Sequence, residues 1–296
     1  MDKDELRNHV LTSLEEDIQT GDVTAQLVDS TKEITGHILL REDAVLCGID
    51  CVINTMNILS TVYKIQMPTI TSHYADGDFI KSGSIIMTLK GNARIILTGE
   101  RTGINYLQTL SGIATATRDY VNILTGNDSD ETKSKVKLLD TRKTIPSMRL
   151  MSKYAVKCGG GYNHRVGLYD AFLIKENHLM SCNGITHAVE LANKLDPNKF
   201  IEVEVETLQE LDEALLTCAN RIMLDNFDND KIIEAIKKRN EVNIAEGSKR
   251  VEFEVSGNIT KDRLKELRLM DIDYVSAGAI TKNISAIDFS MRFDIE

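Results

Sequence analysis

The chain has 296 residues, 42% of them hydrophobic, and a formal net charge of −10. That length holds one large domain or two smaller ones with a real core. The acidic balance argues against nucleic acid or an anionic membrane as a partner.

Five cysteines (Cys47, Cys51, Cys158, Cys182 and Cys218) are scattered without a CxxC pair, as expected of reduced thiols in the cytoplasm. The six histidines lack metal-ligand spacing. The N-terminus MDKDELRNHVLTSLEED is charged and has no apolar core, so no signal peptide is expected. No run approaches the roughly eighteen apolar residues of a membrane span.

In chain order, residues 4–16 form an amphipathic pattern, with Leu6, Val10, Leu11 and Leu14 on one face. Thr20-Gly21-Asp22 is a turn, and Asp22 or Thr24 suits the cap of the next element. Residues 33–48 read as two strands around a turn at 41–43, and 49–60 as a helix. Strands return over 62–98, with turns at Asp76-Gly77 and Ser82-Gly83 and strand-like runs at Ser84–Leu89 and Ala93–Leu97. HYADGDFIKSGSIIMTLKG resembles lipoyl-carrier strands in fold only, for no lysine occupies a swinging-arm turn. Glu100–Leu124 is a helical pattern interrupted near Ser111-Gly112, and residues 126–134 (GNDSDETKS) read as a linker.

Beyond residue 135, strand-like runs at 136–139, 171–174, 200–205, 221–224, 251–255 and 273–276 alternate with helical patterns at 146–158, 184–195, 207–218, 228–239 and 260–269. Such alternation implies a parallel sheet, open or closed into a barrel. IEVEVE and VEFEV put Ile201, Val203 and Val205 on one face against Glu202, Glu204 and Glu206, and Val251, Phe253 and Val255 against Glu252 and Glu254. A central strand of an open α/β sheet is apolar on both faces. A glutamate face therefore points to a barrel lumen, with Arg142, Lys143 and Lys175 as the cations opposite. Two antiparallel strands with one wet face are the alternative. Six runs are fewer than the eight of a regular barrel.

The stretch 138–178, LLDTRKTIPSMRLMSKYAVKCGGGYNHRVGLYDAFLIKENH, is a cationic island in this acidic chain. Arg142 and Lys143 follow one apolar run and Lys175 another, with His164-Arg165 between. Cations at the ends of buried strands suit an anion: Arg forks pair with a planar carboxylate. Glu204 and Asp225 could accept ribose hydroxyls or hold Mg²⁺ through water. The backbone at Ser256-Gly257 and Ala277-Gly278 suits a phosphate. Neither GxGxxG nor a P-loop is present.

ERTGIN, DTRKTIPSMR, GGGYNHRVGLYDAFLIKENH, EVEVETLQE, IMLDNF, EVSGNIT and DYVSAGAIT…DFS together resemble the quinolinate phosphoribosyltransferases, over nearly the whole chain. The resemblance implies an α/β protein with an N-terminal α/β sandwich (1–112, plus about 277–296) and an incomplete parallel α/β barrel carrying the site (113–276). It implies transfer of phosphoribose from 5-phosphoribosyl 1-pyrophosphate (PRPP) to quinolinate with decarboxylation, yielding nicotinate mononucleotide for NAD biosynthesis. It further implies Mg²⁺ bound with PRPP, no pyridoxal phosphate or nicotinamide cofactor, and a cytoplasmic homodimer with shared sites.

By the same resemblance, Arg142, Lys143, His164, Arg165 and Lys175 bind substrate, and Arg101 is supplied across the dimer. Glu204 and Asp225 lie over the ribose, with Lys143 and Lys175 also counted as catalytic. Ser256, Gly257 and Gly278 face phosphate. Asn258 stands where the family commonly has glycine, and asparagine is the likeliest substitute if positive φ is required. The rival functions are a same-fold paralogue associated with molybdate transport and a non-catalytic binder of anionic metabolites.

Overall fold

The computed structural model describes residues 3–126, 134–246 and 250–294, and the chain divides into two compact units. Residues 127–133, most of the expected linker, lie outside the described residues.

The first unit comprises residues 1–118, 145–160 and 283–296. It holds α1 (Lys3–Ile18), β1 (Glu33–Leu40), β2 (Ala44–Val45), α2 (Ile49–Tyr63), β3 (Thr69–Ser72), β4 (Phe79–Ile80) and β5 (Ile85–Asn92), followed by the start of α3 (Ala93–Thr125). Its main sheet is antiparallel, with β5 between β3 and β1. The C-terminal strand Phe289–Phe293 pairs with the other edge of β1, in register from Gly36↔Phe293 to Leu40↔Phe289. Asp22 accepts the backbone N–H groups of Thr24 and Ala25 at 3.0 and 2.9 Å, so it caps the short turn at 25–27.

The run Ala93–Leu97 is helix, not strand. Its apolar residues fit either element, and the decision falls to Asn92, whose Oδ1 accepts the N–H groups of Arg94 at 3.0 Å and Ile95 at 3.4 Å and so starts α3. The helix also runs unbroken through Ser111-Gly112. There Ser111 Oγ accepts from Cys47 N at 3.0 Å. Gly112 leaves room for the Ser285 backbone, whose carbonyl oxygen would lie 2.3 Å from an added Cβ. This glycine is a packing contact rather than a break.

The second unit, residues 119–144 and 161–282, is a six-stranded parallel sheet. Its strands are β6 (Lys137–Leu139), β7 (Phe172–Ile174), β8 (Ile201–Val205), β9 (Arg221–Asp225), β10 (Glu252–Ser256) and β11 (Tyr274–Ser276), in spatial order β6-β11-β10-β9-β8-β7. First and last strands thus pair as in a barrel, while β6 and β7, consecutive in sequence, do not pair. Tyr162 partly fills that gap through a parallel bridge to Leu139. The helix expected between these strands, α4 (Arg149–Cys158), falls in the first unit, although the expected boundary at 112/113 put it with the barrel.

The remaining helices are α5 (Glu176–Leu179), α6 (Ile185–Leu195), α7 (Leu208–Leu215), α8 (Asn229–Glu246), α9 (Lys261–Leu267) and α10 (Ala279–Lys282). Thr207 and Thr260 cap α7 and α9 by accepting N–H bonds from Glu210 and Arg263. Ile201, Val203 and Val205 are buried on one side of β8, each contributing about 1.5–3 kcal/mol. Among the described residues no helix is long and apolar enough to cross a membrane.

Candidate active site

Register sorts the inner face of the sheet into rows. Glu202 and Glu252 both pair with Arg221, Glu204 and Glu254 both pair with Met223, and Ser256 pairs with Asp225. The glutamate face read from IEVEVE and VEFEV is therefore the inner face, and two of its members are deeply buried: Glu202 is 2% exposed and Glu254 0%.

The deep carboxylates have polar partners besides the cations expected opposite them. Glu254 pairs with Arg221 at 3.2 Å, and Glu202 with His164 Nε2 at 2.9 Å. Arg221 also stacks on Tyr274, 3.9 Å from its ring centre. Burial, and then the Glu202 carboxylate beside it, push Glu254 up to about 8. Burial raises Glu202 as well. The pair accordingly holds a proton near neutral pH, with Arg221 and His164 closing the cluster.

His164 is oriented from below. Asp140, fully buried after β6, accepts the His164 N–H at 2.8 Å and the Asn163 amide at 2.7 Å. His164 Nδ1 accepts the Arg165 N–H at 2.8 Å. Its Nε2 faces Glu202, so the ring is held between the loop backbone and the deep carboxylates.

At the C-terminal ends of the strands the groups are more open. Lys175 Nζ contacts Glu204. Lys175 N donates to His178 Nδ1 at 3.1 Å, so His178 caps α5. The Arg165 guanidinium donates to Ala171 O at 3.1 Å, and it is held below its ordinary range by burial and by neighbouring Arg142. Two guanidiniums this close suit an anion between them. Lys143 is exposed; its carbonyl accepts the Thr281 hydroxyl at 2.8 Å. Gly278 lies beside it, where an added Cβ would sit 3.0 Å from Lys143 Cδ. Larger residues there would displace the lysine.

Glu204, Glu206 and Asp225 each offer an oxygen, all within 4.8 Å of one another. An all-oxygen set with two half-buried carboxylates and one exposed suits Mg²⁺ sharing its shell with water and phosphate. Beside it, Asn226, Gly257 and Asn258 are left-handed, with φ of 55°, 94° and 48°. Asn258 thus takes the conformation that glycine or asparagine adopts most readily. A Cβ on Gly257 would lie 2.1 Å from Asn226 Oδ1, so only glycine fits.

The second unit therefore brings together Arg142, Lys143, His164, Arg165, Lys175, Glu204, Asp225, Ser256, Gly257 and Gly278 at or near the C-terminal ends of one parallel sheet. Arg101 belongs to the first unit, exposed on α3. Sequence reasoning missed Asp140 and Arg221. Asp140 directly precedes the cationic run, a signal that could have been used. Arg221 begins a strand, where cations are commonly solvated.

The comparisons agree along the whole chain. Residues 22–111 match the family model described as quinolinate phosphoribosyl transferase, N-terminal domain, and residues 113–292 match the C-terminal domain. The chain is 36% identical over 277 residues to a probable nicotinate-nucleotide pyrophosphorylase [carboxylating] of Bacillus subtilis, covering 93% of this chain and 89% of the relative. It is 32% identical over 290 residues to the nicotinate-nucleotide pyrophosphorylase [carboxylating] of Mycobacterium leprae, covering 97% of each. A solved nicotinate-nucleotide pyrophosphorylase from Francisella tularensis superposes with a TM-score of 0.89 at 44% identity, covering 99% of this chain and 98% of that one. With both of its halves matched, this chain belongs to the quinolinate phosphoribosyl transferase family.

Proposed function

We propose that the chain transfers the phosphoribosyl group of PRPP to quinolinate, releasing pyrophosphate and CO₂ and forming nicotinate mononucleotide for NAD biosynthesis. The observation that carries this reading is the pairing of opposite chemistries at one rim: the Arg142–Arg165 pair for a dicarboxylate, and Glu204 and Asp225 for a sugar that becomes cationic.

Arg142, Arg165 and Lys143 hold the two quinolinate carboxylates and exclude water around them. Lys175 and Glu204 are in contact, so substrate entry exchanges part of that ion pair for contacts with the reactants. Glu204 and Asp225 stabilise the positive charge that grows on the ribose as pyrophosphate leaves. The ring nitrogen then bonds to the ribose carbon, and the resulting pyridinium accepts the electron pair left behind when the adjacent carboxylate departs as CO₂. Ser256, Gly257 and Gly278 offer backbone close to the phosphate. Glu204, Asp225 and Glu206 would hold Mg²⁺, which when bound neutralises pyrophosphate charge.

Incubation with quinolinate, PRPP and Mg²⁺ should release CO₂ and nicotinate mononucleotide in equal amounts. Quinolinate binding without turnover would instead identify a non-catalytic binder.

The proposed working form is a cytoplasmic homodimer in which Arg101 serves the partner's site. Support comes from the exposure of Arg101 on α3, directly before the buried residues Thr102, Gly103 and Ile104. Mixing Arg101→Ala and Arg142→Ala chains, each nearly inactive alone, should restore roughly a quarter of wild-type activity once subunits exchange at random. No recovery with exchange confirmed by native mass spectrometry rejects the shared site.

A further inference from the structure

The first unit contains a second group of reactive side chains that the proposed reaction does not use. Cys47, fully buried, links β2 to α2, and half-buried Cys158 is the last residue of α4. Their Sγ atoms and a carboxylate oxygen of Asp76 all lie within 4.8 Å of one another.

The surroundings hold the two thiols face to face. Asp76 Oδ1 accepts the N–H groups of Gly48 and Ile49, directly after Cys47, at 3.0 and 3.2 Å. Asp76 Oδ2 accepts the hydroxyl of Tyr154, one turn before Cys158 on α4, at 3.0 Å. One carboxylate therefore ties together the two backbone segments that carry the cysteines. Arg118 adds hydrogen bonds to the carbonyls of Cys158 and Gly159 at 3.3 and 2.9 Å.

Two uses fit sulfurs at this separation. A thiophilic metal would need four donors, and the cluster offers three, with both Asp76 oxygens already engaged by N–H and O–H donors. A dithiol needs only the two sulfurs and one accessible edge. Cys158 provides that edge, and hydrogen bonding from Cys47 holds its thiol below the ordinary range, while Cys47 is itself pushed well up.

We propose that Cys158 and Cys47 are a peroxide-oxidisable pair, Cys158 reacting first and Cys47 resolving it into a disulfide within the first unit. The Cys158 sulfur attacks one oxygen of hydrogen peroxide and the O–O bond breaks, leaving a sulfenic acid and one water. The Cys47 sulfur then attacks the Cys158 sulfur. The S–O bond breaks, and hydroxide leaves as water with the Cys47 proton. In sum two thiols and one peroxide give one disulfide and two waters, with sulfur oxidised and peroxide reduced.

The test treats the reduced full-length protein with hydrogen peroxide, alkylates the remaining thiols and maps the peptides by mass spectrometry. A peptide joining Cys47 to Cys158 should form about tenfold faster than any oxidation of exposed Cys218, the internal control for mere accessibility. In Cys47→Ser, or in Cys47→Ala should the first variant fold poorly, Cys158 should stop at the sulfenic acid and be captured by a 1,3-diketone probe. In Cys158→Ser, Cys47 should remain a thiol. The proposal is overturned if Cys218 or Cys182 oxidises first, or if the Cys47 variants leave Cys158 no more prone to trapping than the parent. It is also overturned if protein purified without chelator carries one equivalent of zinc that blocks the reaction.

Discussion

Glu204 and Glu254 lie in the same row of the parallel sheet, both opposite Met223, yet their surroundings make them different chemical groups. Glu254 is fully buried against Glu202, with Arg221 and His164 as its polar company. Glu204 sits two strands along and partly exposed, in contact with Lys175 and within reach of Asp225. Register decides which face a side chain takes; solvent and neighbouring charge decide its protonation. The deep group ties the barrel interior to Arg221 and His164, and the rim group stays open to a substrate.

Breaking the deep cluster should have the largest effect. Arg221→Met removes the guanidinium that closes the Glu202–Glu254 pair, and stability to denaturant should fall by about 3–5 kcal/mol, the usual result of leaving a buried charge without its partner. A loss below about 1 kcal/mol would mean that the carboxyls are satisfied without Arg221.

The rim variant should invert that pattern. Glu204→Gln should lower kcat on the order of 100-fold, leaving the denaturation midpoint and the quinolinate Kd nearly unchanged. The charge it opposes exists mainly in the transition state. A kcat within about threefold of the parent would remove Glu204 from the charge-stabilising role.

The pH dependence of stability separates the two groups again. Because Glu254 is raised to about 8 in the fold, the native state keeps a proton that the unfolded chain releases near its ordinary carboxyl value. Its contribution is whole below that ordinary value and is lost as pH rises toward 8. Glu254→Gln has no such proton, so its stability relative to the parent should improve with pH across this window and level off above it. The slope should be at most about 1.4 kcal/mol per pH unit, and less if Glu202 titrates with it. Parallel pH profiles for the two proteins would place the shared proton elsewhere.

The smallest effect is expected at a rim position that carries no charge. Asn258 already adopts the left-handed conformation, so Asn258→Gly should change stability by less than about 1 kcal/mol. The KM for PRPP should stay within about threefold, because the phosphate contacts proposed at this turn are made by backbone. A larger KM change would show that the Asn258 amide, which donates to Asn226 Oδ1 at 3.3 Å, shapes the donor site.

Local pattern was enough to determine the alternation of strands and helices after residue 135, because burial on one side of a strand or helix imposes its period on the residues themselves. The alternating glutamates of IEVEVE and VEFEV likewise disclosed an inner face, and the clustering of Arg142, Lys143 and Arg165 led to the proposal of an anion site. Only tertiary structure decided which charges meet. Arg221 and Glu254 are separated by a helix and pair because their strands are neighbours, and His164 is fixed by Asp140 from a different strand end. The course of α3 divides between the two: adjacent Asn92 starts it locally, while its glycine at 112 is a contact for Ser285, which lies far along the chain. Periodicity records whether a residue is buried, since that depends on its own element. It cannot record what the residue is buried against, since the partner's position is set by the packing of the whole unit.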